Sequence, residues 1–459
     1  MARTAIRARL LDFVGDPANS AAAVRLIDDG LLLVEGDTIV ARGDYAPMAR
    51  ALAEDERVID YSGCLLLPGF IDAHAHVAQI DAIAAPAEGL FEWLQLSAYP
   101  AEARFSDPAV CREAAGFFLD ELAWHGTTSA CVLGSVHPES VEALFAEARS
   151  RKMRLVAGKC LMDRNCPDAL RDDGDRGIQQ TMDLAERWHG RDRLSYAITP
   201  RFAGSSSERQ LKLAGELAQA RPDLYVQSHL AETRDEVRWI AKLFPKARSY
   251  LDVYDGAGLV RQRSIFAHCI WLDSQDRQRM TELGALAAVC PTSNLFLRSG
   301  AFDFGAALRD GLRLALATDI GGGQSPSMLA TMRAARDVAG LNGAALQATQ
   351  LFYWATRGAA DALGWEGRVG VLEPGAEADF VVLDPAATPL LARRTAAANS
   401  VEALLFALMT LGDDRAVRET FIAGQPSKAR RSSSGDDARD AKARARELAR
   451  RFPGRLGFA

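Results

Sequence analysis

Nowhere in the chain do consecutive apolar residues approach the roughly 20 that a membrane-spanning helix needs, which excludes a helical span. Its first residues, MARTAIRARLLDFVGDPANS, have no long apolar core followed by a small-residue cleavage site. No secretory leader is therefore expected, and the cytoplasm is the expected compartment. Paired cysteines are missing as well. Seven thiols, an odd number without CxxC spacing, argue against a disulfide framework and a thiolate zinc knuckle, and they are expected to be reduced core residues. An excess of positive charge is also absent. With 54 Lys and Arg against 60 Asp and Glu, the formal net charge of -6 gives no field to attract a phosphate backbone, so no nucleic-acid partner is expected. Histidine is scarce, at seven in 459 residues, so the place of each one carries information.

What is present is ordinary for a large soluble protein: 48% hydrophobic and 25% charged residues. Short β-rich apolar runs alternate with longer segments of helical period, the pattern of βα units around a parallel sheet. The candidate strands are CLLLPGFIDAHAH, TTSACVLGS, RLVAGKCL, LSYAITPRF, LYVQSHL, SIFAHC, ALAAVCPTS and LALATD. Eight such units favour a closed (β/α)8 TIM-like barrel over an open sheet. Segments such as DPAVCREAAGFFLDELAWHG, opening on an Asp cap and closing at a Gly, supply the helices. Near both ends, GLLLVEGDTIVARGD, GVLEPGAEADFVVLDP and ETFIAGQPS read as short strands joined by Gly turns, and they predict a small β-sandwich domain formed from both chain ends. The expected division is residues 1–66 and 370–426 for that β domain, 67–369 for the barrel, and 427–459 for a solvated Arg-rich tail. There is no convincing internal repeat.

Catalytic groups of such a barrel gather at the carboxyl ends of its strands. The first strand ends in DAHAH, where His74 and His76, two apart, share a face. VQSH ends another strand on His229, SIFAH the next on His268, and LALATD the last on Asp319. One strand-end histidine is more often packed or surface-exposed than functional. Four of the seven, joined by an aspartate, reverse that expectation and give five candidate ligands. Imidazole and carboxylate suit zinc, which lowers the pKa of a bound water to about 7. His125, His137 and His189 fall in helical or loop contexts and are expected to be structural or exposed. The fourth strand, LSYAITPRF, offers no lysine to bridge two ions, so one metal is expected, and Lys159 on the third strand is taken as structural. One zinc-hydrolase fold of another kind pairs HxE with PCxxC. The chain has HPE at 137–139 but no PCxxC, which sets that fold aside.

PGFIDAHAHVAQ, FEWL, MDRN, TPRF, SHLAET, AHC, PTSNLFLRSG, TDIGGG and LGDDR, in order from Pro68 to Arg415, together resemble the zinc-dependent guanine deaminases of the amidohydrolase superfamily. SHLAET departs from the commoner SH.SEN pattern, and the tail lies outside the resemblance. The resemblance implies hydrolysis of guanine to xanthine and ammonia in purine catabolism or salvage, and a homodimer. It also implies that Gln79 and Arg201 hydrogen-bond the base, Phe202 stacks on it, and Trp93 and Leu94 close a wall. Arg201, beside apolar strand residues, needs an acceptor, and a guanine carbonyl would be one. The glycines after Asp319 suit either a close backbone approach or a plain turn.

Within that frame His74, His76, His229 and Asp319 are expected to hold one zinc with a water, and His268 to coordinate weakly or to orient the water. Asp319 would take a proton from it. Glu232, three residues past His229, would carry protons to the ring and to the departing ammonia, for which it must be desolvated and its pKa raised. His229, Glu232 and Asp319 would thereby also border the substrate. The rival readings are another one-zinc aminohydrolase acting on 8-oxoguanine, a pterin or a triazine, and a metal-free scaffold that should have lost ligands.

Overall fold

The computed structural model describes residues 3–53 and 56–427, so the expected Arg-rich tail lies outside the described residues apart from Ser427. Eight strands stand side by side in chain order: Phe70–His76, Thr127–Leu133, Arg154–Gly158, Leu194–Pro200, Tyr225–Leu230, Ser264–His268, Leu286–Val289 and Arg313–Leu316. Every neighbouring pair is parallel. The eight expected runs are these eight strands, with helices between them. The seam between the first and last strands is drawn together just past the strand ends, where Asp319 N–H donates to His74 O at 2.9 Å and His76 N–H to Ile320 O at 2.6 Å.

The period-two alternation of these strands decides which side chains fill the barrel and which meet the helices. Ile71, Ala73, Cys131, Val156, Ala197, Tyr225, Ile265 and Leu286 point inward as one packed layer. Leu155, Ile198, Val226, Phe266, Ala287 and Leu316 belong instead to the larger core beneath the helices. Helix Pro108–Trp124 opens as expected, with Asp107 accepting the N–H of Ala109. All seven cysteines are free, and all but the partly buried Cys64 are buried. Among the described residues no helix is long and apolar enough to cross a membrane.

Two runs end differently from the expectation. CLLLPGFIDAHAH is broken at Gly69, and its first half belongs to the strand Val58–Pro68 of the outer sheet. A Cβ at Gly69 would lie 2.2 Å from Thr128 Oγ1, so only glycine allows this close approach between the two sheets. ALAAVCPTS is a strand only to Val289, because Pro291 starts the short helix Pro291–Phe296.

The outer β domain draws on both ends of the chain. Its seven strands pair along one continuous path: Gln425–Pro426, Val417–Ile422, Phe380–Leu383, Val58–Pro68, Arg3–Phe13, Val24–Glu35 and Thr38–Asp44. Val58–Pro68 is the joint, parallel to Arg3–Phe13 and antiparallel to Phe380–Leu383. Bulges interrupt the ladder in several places, and one face buries Ile6, Leu10, Leu32, Leu66, Phe380 and Phe421. Arg193, just before the fourth barrel strand, bonds Asp379 of this domain at 2.7 Å, and Arg154 at the start of the third bonds Glu377.

Candidate active site

The mouth of the barrel is built from its strand ends. His74 Nε2 and His76 Nε2 lie 3.0 Å apart, and His76 Nε2 is 3.0 Å from His229 Nε2 on the fifth strand. Asp319, three residues past the eighth strand, brings Oδ1 to 3.2 Å from His74 Nε2 and 3.3 Å from His76 Nε2. An ion bound tetrahedrally at about 2.0–2.1 Å would space its ligands by about 3.3 Å. Four of the six separations are close to that edge and all six lie within 4.8 Å, so these four side chains fit around one zinc ion. His229 Nδ1 faces Arg201 O at 2.6 Å, which fixes the tautomer and leaves Nε2 free to ligate. Burial pushes His76 down to about 3 and His229 well below its usual range, so both imidazoles are neutral, the form that binds metal.

Left-handed backbone recurs at these strand ends. Ala231, His268 and Asp319 have φ of 50°, 70° and 51°. Such a conformation costs a non-glycine residue on the order of 1–3 kcal/mol, and here it turns the chain so that side chains reach the mouth. The glycines after Asp319 serve close approach: a Cβ on Gly321 would sit 2.2 Å from Gln79 O, and one on Gly323 would sit 2.0 Å from Thr318 O.

His268 Nδ1–H donates to Asn294 Oδ1, 2.8 Å away. Its buried Nε2 has no hydrogen-bond partner among the described residues and lies 3.5 Å from Glu232 Oε2 and 3.8 Å from Asp319 Oδ2. Glu232 is itself 3% exposed and accepts from Ser299 Oγ at 2.7 Å. Burial first, and the Asp319 charge second, push its carboxyl up to about 8. The direction of this shift favours its protonated form.

Above these groups lies a small concave cavity of mixed apolar and polar lining, the form a small-molecule site takes. Gln79, Trp93, Leu94, Arg201, Phe202, His229, Glu232, His268 and Asp319 all line it, as does His76; His74 sits behind them. Gln79 Oε1 and Trp93 Nε1 are buried there and have no hydrogen-bond partner among the described residues. Trp239, which the sequence reading passed over, packs on Phe202 with ring centroids 5.8 Å apart. His125, His137, His189 and Lys159 are not part of the wall. Lys159 Nζ is instead paired with Asp172 at 2.8 Å.

Several working residues escaped the sequence reading. Arg201 does need an acceptor, but the protein supplies one: Nη1 donates to Glu102 Oε1 and Oε2 at 2.6 and 2.8 Å. Gln79 Nε2 donates to the same carboxylate at 2.8 Å. Asn294 and Ser299 both stood in the quoted run PTSNLFLRSG, which was thus a signal without an assigned role. Asp72, within the first strand, accepts the Thr318 N–H at 3.0 Å, and burial pushes its carboxyl up to about 6.

A parallel barrel with a mixed imidazole and carboxylate cluster at its mouth defines a class of hydrolase, and residues 65–426 match the amidohydrolase family model. The chain belongs to the amidohydrolase family. Within that family its relatives are narrower. It is 42% identical over 424 residues to the guanine deaminase of Escherichia coli K12, covering 92% of this chain and 97% of that one. The structure of an E. coli guanine deaminase superposes with a TM-score of 0.89 at 40% identity, over 93% of this chain and 99% of that one. A guanine deaminase from C. acetobutylicum, with guanine bound in its active site, gives a TM-score of 0.83 at 25% identity, over 92% and 99% of the two chains.

Proposed function

We propose that this enzyme is a guanine deaminase, hydrolysing guanine to xanthine and ammonia in purine breakdown. The observation that carries the reading is one juxtaposition. A carboxyl kept protonated by burial, Glu232, stands beside a four-atom ligand set on the floor of a cavity whose wall holds Arg201 and Gln79. The similarity to guanine deaminases over nearly the whole chain supports the choice of base.

His74, His76, His229 and Asp319 would hold the zinc. Bound there, zinc supplies Lewis acidity that brings a water's pKa from about 15.7 to about 7. Asp319 Oδ2, 3.8 Å from His268 Nε2, would take a proton from the attacking water, and His268 Nε2 would orient it. Carbon 2 of the base is attacked while Glu232 gives its proton to a ring nitrogen, which limits the loss of aromatic stabilisation. Glu232, recharged with the proton that Asp319 took, passes it to the amino group, and the hydroxyl proton left on carbon 2 returns Glu232 to its acid form. The C–N bond breaks, and one water is consumed for each ammonia released. Gln79 and Arg201 would bond the edge of the base, Phe202 would cover its face, and Trp93 and Leu94 would close the slot.

The proposal includes one zinc per chain, a homodimer and a cytoplasmic setting. Metal analysis and light scattering on purified protein check the first two. The activity is checked by following guanine to xanthine in absorbance, with ammonia release from 8-oxoguanine, a pterin, a triazine and adenine as comparison. Turnover of one of these with none of guanine would overturn the choice of base.

A further inference from the structure

We infer that Glu102, on the short helix Tyr99–Ala103, sets the hydrogen-bond polarity of the substrate pocket as a positioning residue for Gln79 and Arg201 together. The inference rests on the guanine reading for its choice of substrates. Glu102 is fully buried, and its carboxylate takes one bond from Gln79 Nε2 and two from Arg201 Nη1. Its backbone is fixed in turn, since Glu102 O accepts from Ser135 Oγ at 3.1 Å.

An ionised carboxylate accepts only, whereas an amide has one donating and one accepting end. Turned the other way, Gln79 would set its own oxygen against the carboxylate at 2.8 Å, a contact between two acceptors. The amide is thus chemically keyed, with nitrogen toward Glu102 and Oε1 left as the free end, buried and without a partner at the cavity wall. Arg201 has donors only. Held by Glu102 and covered by the Tyr99 ring 5.5 Å away, its guanidinium stays at the same wall. The pocket therefore offers an acceptor and a donor from one anchored pair. Their complement is a lactam edge, N–H beside C=O, as guanine has at N1 and C6. An amino group in place of the oxo group would set donor against donor. A site built to bond one polar edge rejects its mismatch because a buried group is left unpaired.

The test compares guanine with 2,6-diaminopurine, which keeps the 2-amino group but carries an amino group at carbon 6. Ammonia release is measured for zinc-loaded wild type, E102Q and the reciprocal double variant E102Q/Q79E. With an amide at position 102 the keying of Gln79 is lost. The ratio of kcat/KM for guanine over 2,6-diaminopurine should fall at least tenfold in E102Q, with KM for guanine carrying more of the loss than kcat. The double variant restores an acceptor-only side chain at position 79 and should recover the ratio to within threefold of wild type. Equal losses on both bases, with the ratio unchanged, would overturn the inference and leave Glu102 a structural support. Should E102Q not fold, E102D keeps the charge, shortens its reach, and is read by the same ratio. Failure of wild type to act on guanine would strike the functional reading alone. The keying is then read from crystal structures of wild type and the E102Q or E102D variant: an unmoved Gln79 and Arg201 overturns it, and a second orientation of either supports it.

Discussion

A carboxyl that is to donate a proton near neutral pH must be kept from ionising, and Glu232 is kept so chiefly by its burial and secondly by the Asp319 charge. Ser299 fixes one of its oxygens while the other faces His268. Glu232→Gln should retain the metal and lose about 10²- to 10⁴-fold in kcat, the usual contribution of a placed acid–base group; ammonia release and metal analysis on the same preparation check it, and full turnover would remove Glu232 from this role. Asn294→Ala leaves His268 Nδ1 unheld and should cost about 10- to 100-fold in activity, the range for losing a partner that orients a site histidine. The site histidines were legible one by one because a strand end is a local feature of sequence. Glu102 was not: its partners lie 23 and 99 residues away, and nothing in YPAEAR distinguishes its glutamate from a surface one. Arg201 was read with the right need, an acceptor, and an incomplete supplier.

At the scale of elements, the loop after the fifth strand is stiffened by the helix that follows it. Thr233 Oγ1 accepts from Glu236 N–H at 3.0 Å, and Glu236 Oε2 accepts from Glu232 N–H at 2.9 Å, so a capping box also holds the backbone of the proposed proton carrier. Burial pushes the Glu236 carboxyl up to about 7 from the ordinary 4.5. Between those values the folded protein binds a proton that the unfolded chain does not, so this contribution is full below about pH 4.5 and is lost as pH rises through about 7. Glu236→Gln cannot ionise. Its stability relative to wild type should therefore rise between about pH 5 and about pH 8, by at most about 3 kcal/mol for a shift of this size; urea denaturation at the two pH values reads the difference, and a constant difference would refute the assignment. The seam of the barrel gives a second case. Gly321→Ala places a Cβ against Gln79 backbone oxygen, which cannot move aside as a side-chain end could. It should lower thermal stability by about 1–3 kcal/mol, the common cost of overpacking, and reduce activity with it.

For the whole molecule, the site is the point where the barrel's two edges meet. The proposed ligands come from the first, fifth and last strand ends, and the bonds Asp319 N–H to His74 O and His76 N–H to Ile320 O join the first and last of them. An ion there should add to the stability of the fold. Chelation of purified enzyme should abolish activity and lower the melting temperature, with zinc restoring both; at about 1,000-fold excess over Kd, a ligand that binds only the folded state contributes about 4 kcal/mol. An unchanged melting curve would separate the ion from the fold.

The sequence by itself determined the eight strands, the helices between them and the strand-end histidines, because alternation, caps and turn residues act over a few neighbouring positions. It also placed the β domain at both ends of the chain. Tertiary structure alone decided that Val58–Pro68 belongs to the outer sheet, that Glu102 anchors both Gln79 and Arg201, and that four ligand atoms come to lie within 4.8 Å of one another. Those outcomes depend on the three-dimensional meeting of residues remote along the chain, fixed by closure of the barrel and by burial that no local pattern encodes.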